Sequence, residues 1–386
     1  MQGIRPQQRI ELIDVLRGYA LMGLFLFHMV EYFVLYWANP IPSTVNSTML
    51  FLFGGKAYAM FGLLFGVSFY ILMDGQARRG VDFRARFVWR LIVLLILGYL
   101  HSLVFGSDIL TVLAITGLIL VPLYRWSNTA LLCVAAFFVL QGPMLLLRAM
   151  DFSWNPGVHD TLKDAYANGS FINVLRVNTW EGHFGKWAFM TNSGRLWNIV
   201  GLSALGFVLG RVALFTEPER YKSTHRNAFA ILLVLSILLL IFKAKLATLL
   251  GSEVARRVMD SISNIALMLF SVMGLVLLYR SDRVARVLRL LAPCGRMTLS
   301  LYVFQSLLLV PFFYGFGAGA YAWIGQPLSA ALGIVLWCIQ VWLAHVWFRS
   351  HYYGPLEWLW RSATFMRTDI PFRKVTETQS QAAIEA

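Results

Sequence analysis

Long apolar runs separated by short polar turns set the pattern of this chain. Ten such segments are legible, at about 13–37, 49–73, 88–105, 109–124, 129–148, 197–215, 227–250, 261–279, 297–314 and 328–348. Runs of roughly 18–25 apolar residues cross the ~30 Å hydrocarbon layer of a bilayer as helices. The pattern therefore predicts an all-α fold, a polytopic transmembrane helical bundle of about ten spans forming one integral membrane domain over 1–386. Between Val88 and Tyr124 the only break is Gly106-Ser107-Asp108, turn residues that divide the stretch into a helical hairpin. The longest polar stretch, 151–196, contains Trp154, His159, Trp180, Glu181, His183 and Trp187. Aromatics of this kind predict an external amphipathic loop at headgroup level, with a lid over an embedded pocket as the alternative. After the last span, 350–386 reads as a tail, with an interfacial packing helix around Glu357 and disorder from about 375, where Thr376 to Ala386 are polar and aperiodic.

Composition sharpens the class. Of 386 residues 58% are apolar and 13% charged, against about a quarter charged in soluble domains, which excludes a soluble globular enzyme. The net charge of +14 is explained by its distribution. Alternate connections, beginning with Arg5 and Arg9 and ending with Arg349 to Lys374, hold 22 basic residues, and the other side holds nine. Basic residues stay on the cytoplasmic side, so both termini are expected to be cytoplasmic, which requires an even number of spans. The charge is a topology signal with affinity for membrane lipids, and nucleic acid is not an expected partner. The first apolar run carries Asp14 and Arg17 and lacks a small-residue cleavage site, so it reads as a retained helix. Cys133, Cys294 and Cys338 have no metal-ligand spacing, and no metal is expected. Phosphate loops and serine-hydrolase elbows are also missing from the sequence.

Ionisable side chains inside spans cost at least ~2.5 kcal/mol each on the insertion scale, so each needs a partner or a task. In the first helix these are Asp14, Arg17, His28 and Glu31. Asp14 and Arg17, three residues apart, share a face and can pair. Arg17 and His28 are eleven residues apart, which is three turns, so they point the same way about 16 Å apart. A snorkelling cation and a histidine bonded within the bundle would account for them separately. Their alignment instead suits group transfer, which needs an anion-binding end for a donor and a base further along, a role for which imidazole is suited. Other intramembrane polar residues are Lys56, expected to snorkel outward, His101 and Asp108, expected to pair, and Gln305, Gln340 and His345. Gln305 reads as structural glue. Arg78, Arg79, Arg84 and Arg86 read as flanking charge, whereas Arg90 begins the third long run.

The segments IDVLRGYALMGLFLFH, KAYAMFGLLFGVSF, RLIVLLILGYLHSLVFGSDILTVLAITG, GRMTLSLYVFQSLLLVPFFYGFGAG and GPLEWLWRSATF occur in this order between about residues 9 and 366. Together they resemble the YeiB-like family, bacterial polytopic membrane proteins with a C-terminal domain of unknown function. That family is similar to the transmembrane acyltransferases, which include the acyltransferase-3 proteins and the lysosomal enzyme that acetylates heparan glucosamine. The acyltransferase-3 signature of a basic residue, ten residues and a histidine is matched by Arg17 and His28; many YeiB-like relatives have Asn at the histidine position. Ser107 and Leu113 stand where the family commonly has Gly and Tyr.

The resemblance implies a multi-pass protein of the bacterial cytoplasmic membrane that moves an acyl group, typically acetyl, from cytoplasmic acyl-CoA to a sugar, glycan or lipid-linked acceptor outside. It implies a catalytic set of His28, as base or acyl carrier, and Asp14, which orients Arg17. Arg17 would hold donor phosphates with Arg90 beside it, and Lys56, His101, Asp108 and Gln305 would be supporting polar groups. On this reading the Arg17 and His28 side chains share a single cavity open to the cell interior. The alternative is a permease in which Lys56, His101 and Asp108 line a solute pathway, with a sensor or scaffold as a third reading; a homo-oligomer is compatible with all of them.

Overall fold

The computed structural model of the chain describes residues 10–249 and 253–374. Arg5, Arg9 and the segment from Thr376 for which disorder is expected lie outside the described residues. Helix α1 (Glu11–Glu31) is apolar almost throughout and buried on nearly all sides. It is followed by α2 (Thr44–Leu52), α3 (Ala57–Ala77), α4 (Arg84–Val104), α5 (Leu110–Leu123), α6 (Asn128–Val139) and α7 (Gly142–Ala149). Three short helices then form a cap, α8 (His159–Asn168), α9 (Phe171–Thr179) and α10 (Glu181–Asn192). The chain returns to the bundle in α11 (Arg195–Arg211), α12 (Lys222–Leu249), α13 (Glu253–Leu278), α14 (Asp282–Leu288), α15 (Ala292–Arg296), α16 (Thr298–Phe313) and α17 (Gly325–Ser350), and closes with α18 (Pro355–Phe365). No strand occurs among the described residues, where only an isolated bridge joins His351 to Arg373.

The ten apolar segments are helical, but length divides them. Six helices are long and apolar enough to cross a membrane: Glu11–Glu31, Thr44–Ala77, Arg84–Val104, Lys222–Leu246, Val254–Leu278 and Gly325–Ser350. Two bent pairs, α6 with α7 at 53° and α14–α15 with α16 at 76°, bring the number to eight. Helices α5 and α11, with 14 and 17 residues, rise about 21 and 25 Å at 1.5 Å per residue, short of a full crossing. Their apolarity serves burial inside the bundle. The two described ends of the chain lie at the same end of the bundle, where Ile10 and Asp14 meet Tyr353 and Glu357 around one cavity.

Small residues bring the central helices together. Gly62 and Gly66 of α3 lie against Ile199 and Ser203 of α11, and Gly206 and Gly210 of α11 lie against Leu63 and Val67 of α3; a Cβ on Gly66 would run into the Ser203 carbonyl while one on Gly206 would run into that of Leu63. Such close backbone approach is how helices associate where lipid supplies no hydrophobic drive. The segment after the last span is not a tail up to its last described residue. Trp89 Nε1 donates to Ala363 O at 2.9 Å and Trp360 Nε1 to Arg90 O at 2.8 Å, which pins α18 across the start of α4. Beyond it, Lys374 N donates to Ser350 O at 2.8 Å.

Candidate functional site

Two cavities lie end to end along α1. One, of about 430 Å³, opens among Asp14, Arg17, Ser68, Arg90, Arg296 and Arg361, and we call it the arginine cavity. The other, of about 730 Å³, holds His28, Glu31, Asp108, Lys186 and Arg195 under the cap, and we call it the histidine cavity. The expectation of one shared cavity is therefore corrected. Arg17 and His28 do point the same way, but Leu24 and Ile109 line both cavities and stand between them. The cause is the stripe itself: Asp14, Arg17, Leu21, Leu24, His28 and Glu31 follow alternating steps of three and four residues along one helical face. The stripe is polar at its two ends and leucine in the middle.

In the arginine cavity Asp14 is buried and accepts from Arg17 Nη1 at 2.9 Å, and the other terminal nitrogen of Arg17 donates to the Ser68 hydroxyl. The Arg17 side chain keeps 30% exposure, so its guanidinium is held yet accessible. Arg90 Cζ lies over the Trp360 ring, 3.5 Å from its centroid, and Arg296 Cζ over Phe348 at 3.8 Å. Arg361 lies over Tyr353 and Phe365 at 5.2 and 5.4 Å. Each of these cations therefore lies over an aromatic face beside the cavity. Glu357 lines the same cavity, its two oxygens accepting from the Ser300 N–H at 3.0 Å and the Ser300 hydroxyl at 2.6 Å. Arg296 and Arg361 are functional candidates that the sequence reading counted only as flanking charge.

In the histidine cavity, His28 is 6% exposed and packs edge-on against Tyr32, with ring centroids 5.2 Å apart, and against Phe105 at 5.3 Å. Its ring nitrogens form no hydrogen bond among the described residues. His101 and Asp108 pair as expected, Nδ1 to Oδ1 at 2.8 Å, with both side chains shut away from solvent. The second Asp108 oxygen accepts from the Thr111 N–H at 2.9 Å and the Thr111 hydroxyl at 3.0 Å. Lys186, from the cap, donates to Thr111 Oγ1 at 2.9 Å. Burial holds its ammonium below the usual lysine range, partly offset by the Asp108 carboxylate. The stretch 151–196 roofs this cavity while exposing Ile172 and Trp180 on its outer side. Ser153 to Leu162 and Gly182 to Asn192 supply lining residues of the cavity.

Two supporting residues lie elsewhere. Lys56 does not snorkel outward. Its Nζ caps the end of α2, donating to Leu50 O at 3.4 Å, Gly54 O at 3.1 Å and Asn264 Oδ1 at 3.0 Å. Gln305 Nε2 donates to Gln340 Oε1 at 2.7 Å and joins α16 to α17.

Comparison with known proteins places this geometry. Residues 9–157 match the family profile described as heparan-alpha-glucosaminide N-acetyltransferase, catalytic, and residues 209–367 the one described as a protein of unknown function, DUF418. Uncharacterized protein YxaH of Bacillus subtilis (strain 168) is 26% identical, over 95% of this chain and 97% of its own length. Uncharacterized protein YeiB of Escherichia coli (strain K12) is 25% identical, over 91% of this chain and 95% of its own. The chain is YeiB-like along nearly its whole length. In this YeiB-like membrane protein the arginine cavity is assembled from both matched regions, Arg17 and Arg90 from the first and Arg296 and Arg361 from the second. His28, His101 and Asp108 all come from the first, whereas Lys186 and Arg195 of the YeiB-like chain fall between the two.

Proposed function

We propose that the protein is a membrane-embedded acyltransferase that passes an acyl group, acetyl being the smallest, from acyl-CoA to a sugar, glycan or lipid-linked acceptor. One observation carries the reading: an arginine-lined cavity and a histidine-bearing cavity meet along the helix that carries both Arg17 and His28, with Leu24 of that helix and Ile109 at the start of α5 lining both. The match of residues 9–157 to an N-acetyltransferase catalytic region supports it. The excess of basic residues at the end of the bundle bearing Arg17 supports placing that end on the cytoplasmic side of a bacterial inner membrane.

Coenzyme A is a polyanion, and guanidinium edges bind phosphate through paired N–H donors. Arg17, Arg90, Arg296 and Arg361 would hold the donor at the cytoplasmic end, with Asp14 and Ser68 fixing Arg17. The thioester arm then reaches past Leu24 and Ile109. The acceptor nucleophile forms its bond to the acyl carbon and gives its proton to His28. The C–S bond breaks, its electron pair leaves on sulfur, and the thiolate recovers the proton. The scarcity of water under the lid strengthens the fields acting on that step.

Purified protein in lipid nanodiscs should bind coenzyme A and transfer label from acetyl-CoA to a supplied glycan. His28→Ala should lose transfer by a factor of about 10² or more while keeping coenzyme A binding, and Arg17→Ala should weaken binding. Unchanged transfer in folded His28→Ala overturns the reading. Two cavities at opposite ends with a thin wall also suit alternating access, so the permease reading keeps one distinguishing result: solute uptake by vesicles that depends on Asp108 and ignores coenzyme A.

A further inference from the structure

The wall that supports His28 contains a second histidine that the transfer step leaves unused. His101 gives its Nδ1–H to Asp108, which fixes the tautomer: Nε2 carries the lone pair. That Nε2 is buried and has no hydrogen-bond partner among the described residues. An unmet buried acceptor carries a desolvation cost, and here it leaves Nε2 with a lone pair to spare. Asp108 is in contrast fully engaged, with Thr111 donating twice to its other oxygen. The His101 ring lies 5.0 Å from Tyr302 and 6.0 Å from Phe105, and the His28 ring lies 6.4 and 5.3 Å from the same two rings. The two histidines therefore occupy one aromatic shelf, His28 on the cavity side and His101 behind it. The charged and titratable groups around the shelf are Glu31 and Tyr32 of α1, Lys186 and His183 of α10, Arg195 of α11 and Tyr302 of α16.

We infer that His101, oriented by Asp108, is a positioning residue that takes over the proton His28 removes from the acceptor. This rests on the acyltransferase reading. As the acceptor bonds to the acyl carbon, its proton passes to His28. The His28 ring, held by no hydrogen bond of its own, turns on the shelf and hands the proton to Nε2 of His101, while the Nδ1–H stays on Asp108. The C–S electron pair leaves on sulfur, and the proton returns through His28 to the thiolate. His101 touches neither substrate, and its effect is to keep His28 in the basic form while the new bond is made.

The test uses full-length protein in nanodiscs with ¹⁵N-labelled histidine, following protonation and tautomer by solid-state NMR. Wild type should show His101 protonated on Nδ1 and bare on Nε2 near neutral pH. In folded His101→Gln the His28 titration midpoint should move by about one pH unit or more, the size expected for coupled sites. An Nε2-protonated His101, or a His28 curve unmoved by the substitution, overturns the inference. Asp108→Asn preserves shape while reversing the tautomer preference. It should lower the transfer rate about a hundredfold at unchanged KM and shift the pH–rate profile, and a wild-type profile in that variant also overturns the inference. Wild-type protein that transfers no acyl group overturns the acyltransferase reading itself, an outcome told apart from one in which wild type transfers and Asp108→Asn keeps its profile.

Discussion

Glu357 sits between opposed influences. Two donors from Ser300 favour its ionised form, yet burial outweighs them and holds the carboxyl above the usual glutamate range. A folded pKa raised above the unfolded value of ~4.3 means that the folded chain binds the proton more tightly. The contribution to stability is then fully present below the unfolded pKa and is lost as pH rises through the folded one. Thermal unfolding in detergent should show wild type losing stability relative to Glu357→Gln across that window and then levelling off; a pH-independent difference would contradict the burial. Single residues also mark how far the sequence can be read. The eleven-residue interval between Arg17 and His28 aligns them on any helix, and the pairing of His101 with Asp108 follows from a hairpin whose turn is evident. Leu24 lies on the same stripe but is one leucine among many, so nothing local announces it as a wall. Arg296 and Arg361 look like flanking charge until the tertiary fold sets Phe348 and Tyr353 beneath them.

Among the elements, the pairing of α3 with α11 is the closest test of how the bundle holds together. Gly66→Ala places a methyl group against the Ser203 carbonyl. Backbone cannot yield as a side-chain tip does, so the expected cost is about 1–3 kcal/mol, read as a lowered unfolding temperature. A neutral result would show that the helices sit further apart than described. Helices α5 and α11 show why composition alone does not set the number of spans. An apolar helix surrounded by protein and one surrounded by lipid carry the same composition, so α5 and α11 read as crossings although they are short and internal. The lid was legible as the lesser of two readings because aromatics serve a headgroup layer and a pocket roof equally well. The roof contact is Lys186 reaching Thr111, between residues 75 positions apart, which nothing local in the sequence announces.

At the scale of the whole molecule, function on this reading depends on the thickness of one partition. Leu24→Trp would fill the space beside Ile109 while leaving the Arg17, Arg90 and His28 side chains themselves unaltered. Acyl transfer should fall roughly a hundredfold through misplacement of the reacting ends, with coenzyme A affinity unchanged; equal loss of both would mean that the variant disturbs the donor site instead. The partition has a second consequence, electrical rather than chemical. A bilayer under potential stores ~2.3 kcal/mol per charge for each 100 mV, and a continuous file of water between its faces would let protons run down that gradient. Two aliphatic side chains interrupt the file, so a slender organic arm can thread the barrier while the cell stays energised.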